Sequence, residues 1–151
     1  MVNDARTQTK TYLTTYLTNA NLTKDDDSTQ VTFIVVFEGA DYPLSLVFFG
    51  SKNVDLVYAV KTPTSRTLTS HDLYAYGYEE IVPIVIFTIT KSTITGDLLR
   101  WKAEAELRRV VETYPLGSTR ELTRMSESTQ KLGGTTLYSV TYELKYVRDK
   151  R

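Results

Sequence analysis

Apolar residues along the chain follow two rhythms, and the places where each rhythm holds set most of the expected elements. In Ile81-Val82-Pro83-Ile84-Val85-Ile86-Phe87-Thr88-Ile89 they occupy both alternating faces, the pattern of a strand covered on both sides. From Tyr138 to Tyr146 the alternation is strict: Tyr138, Val140, Tyr142, Leu144 and Tyr146 point one way, Ser139, Thr141, Glu143 and Lys145 the other. That predicts a strand with one buried face and one face open to water or a partner. Residues 118–127 alternate more weakly around Leu122 and Met125, and Lys131-Leu132-Gly133-Gly134 supplies a turn between these two strands. Residues 31–37, 44–49 and 54–60 are dense in β-branched and aromatic side chains and read as three strands of an antiparallel meander.

The helical rhythm is clearest between Thr95 and Tyr114, the latter followed by Pro115-Leu116-Gly117. At about 100° per residue, Leu99, Ala103, Leu107, Val110, Val111 and Tyr114 fall within roughly 120° of one another and form a core stripe. Thr95 is placed to cap the helix, Asp97 near its start and Arg108 and Arg109 near its end suit the macrodipole, and Glu104 can pair with Arg108 at i,i+4. Leu98, Trp101 and Ala105 make a second, narrower stripe, with Trp101 nearly opposite the core face. Two readings of Trp101 stand: it covers a loop or terminus of its own chain, or it anchors a contact with another subunit.

A first helix, capped by Asn3 or Asp4, carries Tyr12, Leu13, Tyr16, Leu17 and Ala20 on one face. Its many threonines are poor helix formers, so it must lean on the sheet. Residues 61–80 are polar and rich in Thr and Ser and read as a long loop or extended arm. Tyr74, Tyr76 and Tyr78 repeat there at period two, as an adhesive arm or as tyrosines packed on the core edge. The expected fold is α+β over residues 1–151 as one domain: a single antiparallel or mixed sheet carrying an N-terminal helix and one central amphipathic helix. Residues 148–151 are expected to fray as a basic tail.

Composition alters this picture little, and charge somewhat more. The chain is 41% apolar and 24% charged, ordinary for a globular protein. No apolar run approaches the ~20 residues of a membrane-spanning helix, and no signal-peptide pattern opens the chain. Without cysteine there is no disulfide framework and no thiolate metal site. Net charge is zero, yet residues 1–90 carry six Lys/Arg against ten Asp/Glu and residues 91–151 twelve against eight, so the halves stand at −4 and +4. Such an imbalance can be chance, or it can let the basic side of one subunit meet the acidic side of the next. It is too small to mark nucleic-acid binding.

Candidate chemistry is thin. His71, the only histidine, sits in Ser70-His71-Asp72, and contiguous residues do not converge as a nucleophilic triad must. Asp25-Asp26-Asp27 lacks the alternating oxygens, turn glycine and distant Glu of a calcium loop and reads as a surface turn. Gly133-Gly134-Thr135-Thr136 lacks the Walker spacing and leads into a strand where a phosphate cradle needs a helix. Glu79 and Glu80, adjacent on a strand, point to opposite faces and would not pair for acid–base work. No catalytic residue, cofactor or metal is therefore expected. Interface candidates are Leu98, Arg100, Trp101, Glu104, Ala105 and Arg108 on the second helix, together with Tyr74, Tyr76 and Tyr78.

The element order, with residues 82–90, then Ile94-Thr95-Gly96-Asp97-Leu98-Leu99-Arg100-Trp101, then 133–148 with its alternating tyrosines, resembles the small tail-terminator and tail-completion proteins of tailed phages. The likeness is one of architecture over most of the chain and rests on no invariant signature. It implies a non-enzymatic subunit of a ring, commonly hexameric, that caps a tail tube and offers a docking face to the head connector. It also implies assembly in the host cytoplasm, residence in a virion, and no specific nucleic-acid readout. A small oligomeric binding module, or less readily a small enzyme, remains open beside it.

Overall fold

A computed structural model describes residues 4–38, 44–50, 53–68 and 77–149. The elements run α1 (Asp4–Tyr16), a 3₁₀ turn (Asn19–Asn21), β1 (Phe33–Phe37), α2 (Leu44–Phe49), β2 (Leu56–Val60), β3 (Thr64–Leu68), β4 (Gly77–Ile89), α3 (Gly96–Thr113), β5 (Ser118–Leu132) and β6 (Thr135–Asp149). One mixed sheet holds all the strands in the order β1-β2-β4-β6-β5, with β3 paired to the first part of β4. The fold is α+β.

β4 is the central strand, and its double-sided apolar pattern is explained by what lies on each face. Val82, Ile84 and Ile86 enter the core beneath α1 and α3, together with Val140, Tyr142, Leu144 and Tyr146 of β6. Val85 and Ile89 enter a smaller core on the opposite face, under Val47 and Phe48 of α2. Pro83 breaks no ladder bond. On that side β4 pairs with β3 through Ile81 and with β2 from Ile84, so the proline sits in the gap between two partners. Only its carbonyl is needed there, and it accepts from the Lys61 N–H at 2.9 Å.

Two expectations fail together. Residues 44–49 form a helix, not a strand, and β1 therefore runs parallel to β2 instead of forming a meander. A short apolar run cannot by itself tell a strand from a buried helix. Once residues 44–49 coil over the sheet, they return the chain to the starting end, and parallel neighbours need such a crossover. The 61–80 segment also holds more structure than a loop: β3 and the opening of β4 pair in register from Thr64↔Ile81 to Leu68↔Gly77. Arg148, expected in a frayed tail, lies in β6 and donates to Glu80 at 3.0 Å. Asn3, residues 39–43, His71, Tyr74, Tyr76 and residues 150–151 lie outside the described residues.

The closing hairpin follows its sequence closely. Gly133 and Gly134 both take positive φ, 58° and 83°, as a two-residue type I′ turn requires. β5 extends to Leu132, beyond the expected 127, and is exposed along most of its length.

Candidate functional site

α3 lies over β4, β6 and β5, and its start is fastened from outside the helix. Thr95 occupies the N-cap position but makes no side-chain cap bond; its N–H and hydroxyl both donate to Asp25. The Thr90 hydroxyl accepts the first helical N–H, from Gly96, at 3.1 Å. Gly96 lies so close to the sheet that a Cβ there would meet the Tyr138 ring at 2.7 Å, which is why a glycine stands at the first helical position.

The sheet-facing stripe is as expected: Leu99, Ala103, Leu107, Val110 and Val111 are buried, and Tyr114 is partly buried against them. The outer stripe is open. Trp101 is 61% exposed and Leu98 39%, and Ala105 between the next turns is exposed as well. The 19–27 segment does not cover the indole. It is tied to the neighbouring positions of the helix, so Trp101 borders an open depression shared with Asn21, Lys102, Ala105, Glu106 and Arg109.

Two glutamates on α3 are buried, which no local pattern in the sequence signals. Glu106 is 2% exposed and accepts four bonds: from the Thr18 N–H (2.8 Å), the Asn21 amide (3.0 Å), and Arg109 Nε and Nη2 (2.7 and 2.8 Å). Burial raises its pKa, but these donors outweigh that and hold it below its ordinary value. On the same flank Lys102 Nζ donates to the Thr23 and Lys24 carbonyls, the Thr23 hydroxyl and Asp27. The 19–27 segment is thus clamped along one side of the helix.

Glu104, 4% exposed, faces the other flank. It accepts from the Tyr142 hydroxyl at 2.6 Å and from Arg124 Nε at 2.7 Å, with Arg100 Nε at 3.3 Å. Arg100 also pairs with Asp97 and Glu127, and Arg124 with Glu127. Glu104, an interface candidate by sequence, is therefore turned inward and offers little surface to a partner, nor does it pair with Arg108. β5 brings Arg124 within reach on the inner side, and Arg108 donates to the Tyr142 hydroxyl at 2.9 Å instead. Burial, and then the carboxylate of Glu104, push the Tyr142 hydroxyl up to about 12.

Of the remaining interface candidates, Tyr78 is partly buried in β4 with the Arg148 guanidinium 5.2 Å from its ring centre. Arg100, Glu104 and Arg108 share the β5 flank, while Leu98, Trp101 and Ala105 share the open ridge above it. Tyr78 stands apart, at the far end of β4. Glu79 and Glu80 separate as expected: Glu79 pairs with Arg66, and Glu80 is fully buried between Ser65 and Arg148. Among the described residues no three His, Cys, Asp or Glu side chains cluster to hold a metal ion, and no helix is long and apolar enough to cross a membrane. No family model matches the chain, and no curated protein matches its sequence.

Proposed function

We propose that this chain is a non-enzymatic structural subunit that joins copies of itself head to tail into a closed ring, in the manner of a phage tail terminator. The observation that carries the reading is the outer ridge of α3. Its largest member, Trp101, is 61% exposed on a helix whose opposite stripe is fully packed. An exposed tryptophan is a residue type enriched in interface hot spots, and the arginines beside it suit a polar rim. A ring needs two unlike patches on each subunit, and the two flanks of α3 differ in chemistry as that requires. In this role the subunit acts in a virion after assembly in the host cytoplasm, with tail-tube and head-connector proteins as its further partners. It performs no reaction and binds no cofactor.

The test is the mass of the purified chain by light scattering, for the wild type and for Trp101→Ala. The wild type is expected as a discrete oligomer. Trp101→Ala is expected to keep its circular dichroism, with a change in fold stability within about 0.5 kcal/mol, and to shift toward smaller species. A wild type of single-copy mass that recruits no partner overturns the ring.

A further inference from the structure

The groove between the C-terminal half of α3 and β5 is lined by Arg108, Val111, Glu112, Arg120 and Leu122. Its two arginines, one from each element, differ from the others on α3 and β5. Arg100, Arg109 and Arg124 each hold a carboxylate. Arg108 is fixed by the neutral Tyr142 hydroxyl, and Arg120 by the Val111 carbonyl at 2.9 Å. Neither forms an ion pair among the described residues, and Glu112, exposed at the rim, is paired with neither. Each guanidinium has five donors in a planar fork, so both keep N–H groups to offer, with no carboxylate bonded directly to either among the described residues.

The opposite flank of α3 carries the complementary feature. Asp25, Asp26 and Asp27 sit in an exposed turn between Leu22 and Val31. The turn is built as a stiff knob. Asp26 accepts from the Ser28 and Thr29 N–H groups, both at 2.9 Å, and from the Thr29 hydroxyl at 2.6 Å. Asp25 is anchored to Thr95, and Asp27 to Lys102. Hydrogen bonds hold Asp25 and Asp26 below the usual carboxylate range, so both stay charged. A carboxylate offers about four lone-pair sites, and Asp27 remains 78% exposed despite its partner.

We propose that the groove walled by Arg108 and Arg120 is the socket for the Asp25–Asp27 turn of a second copy of this chain. This rests on the head-to-tail reading above and names its two surfaces. Charge complementarity selects the occupant: the knob is acidic, the socket is basic, and they lie on opposite sides of one helix, so neither can satisfy the other within a copy. Between them runs the Trp101 ridge. The turn alone is small against the ~800 Å² per partner of a stable interface, so it sets orientation at a seam whose apolar area comes from the ridge. A knob already ordered by its own hydrogen bonds loses little entropy on docking.

The experiment is a double-mutant cycle on the association constant between copies, read by concentration-dependent light scattering. The socket variant is Arg108→Gln with Arg120→Gln. The knob variant is Asp26→Asn with Asp27→Asn, which keeps the one acceptor that takes the Ser28 and Thr29 N–H groups, leaves the Thr29 hydroxyl to accept from the new amide, and tolerates the positive φ of Asp27, 59°. Each is expected to weaken association about tenfold or more, and the combined variant little further, because both remove the same contact. Salt near 1 M, where the Debye length is about 3 Å, is expected to weaken the wild type and leave the combined variant unmoved. Should the Arg120 change unfold the chain by circular dichroism, Arg108→Gln alone carries the cycle, since its side chain is exposed.

A wild-type oligomer indifferent to both variants overturns the socket and leaves the ring standing, as does a combined loss equal to the product of the two. A wild type that never associates overturns both.

Discussion

The two flanks of α3 each bury one glutamate, two residues apart, and they solve the same problem differently. Glu106 closes its circuit within one neighbouring segment: one backbone N–H, one amide and one arginine use the whole carboxylate. Glu104 opens onto a chain of charges that runs through Arg100 and Arg124 to Glu127 at the surface. The first arrangement is a clasp that fixes the 19–27 segment. The second is a lattice that holds helix to hairpin and continues outward to the basic groove. A buried carboxylate is costly unless every lone pair is matched, so the comparison lies in who supplies the match and how far the charges extend.

The clasp should break hardest. Glu106→Ala leaves Arg109, Asn21 and the Thr18 N–H without their acceptor, and is expected to lower unfolding free energy by about 3 kcal/mol, measured by urea denaturation. The same change should speed proteolysis within 19–27 before global unfolding. Glu104→Gln keeps shape and one acceptor while removing the charge, and is expected to cost about 1–2 kcal/mol. Arg124 and Arg100 retain Glu127, which is why the lattice should yield less than the clasp.

A finer probe uses pH. The Tyr142 hydroxyl donates to Glu104 and is pushed up to about 12 by burial and by that carboxylate. Tyr12 and Tyr146 are raised to about 12 as well, chiefly by burial. In the unfolded chain these groups ionise near 10, so from there upward the unfolded state releases protons that the folded state keeps. Their contribution is therefore fully present below about pH 10 and is lost as pH rises toward 12. The denaturation midpoint should fall steeply over that interval, and Tyr142→Phe should make the fall shallower. An unchanged slope in Tyr142→Phe would remove Tyr142 from this account.

These contrasts mark what was legible in the sequence. The inner stripe of α3, the alternation of β6 and the glycine turn could be read because each is a local pattern with its own period or φ requirement. The angle placed Trp101 opposite the core stripe but left open whether its own chain covers the indole, and only the packing of the 19–27 segment shows that it stays 61% exposed. The burial of Glu106 could not be read, because its partners Thr18 and Asn21 lie 88 and 85 positions away. Glu104 was placed beside Arg108 by helical spacing, but tertiary packing offered it Tyr142 and Arg124 on the sheet side. Residues 44–49 are apolar at nearly every position, so their period could not decide between helix and strand, and the parallel pairing of β1 with β2 went with that choice. Among the described residues β3 is polar and exposed at Thr64, Ser65 and Arg66, and it exists because β4 offers it an edge, not because its own pattern demands a strand.

Pro83 has a consequence for how the sheet finds its alignment. A ring nitrogen without hydrogen is harmless only where no acceptor waits for it, and β4 has such a place opposite residues 61–63, where one short neighbour ends and the other begins. Sliding β4 by two positions would keep every side chain on its proper face, yet it would set the imide against a carbonyl of β2 or β3 that needs a donor. The apolar pattern alone cannot forbid that slip. The proline can, and so it acts as an index mark for the register of β4 against β2 and β3.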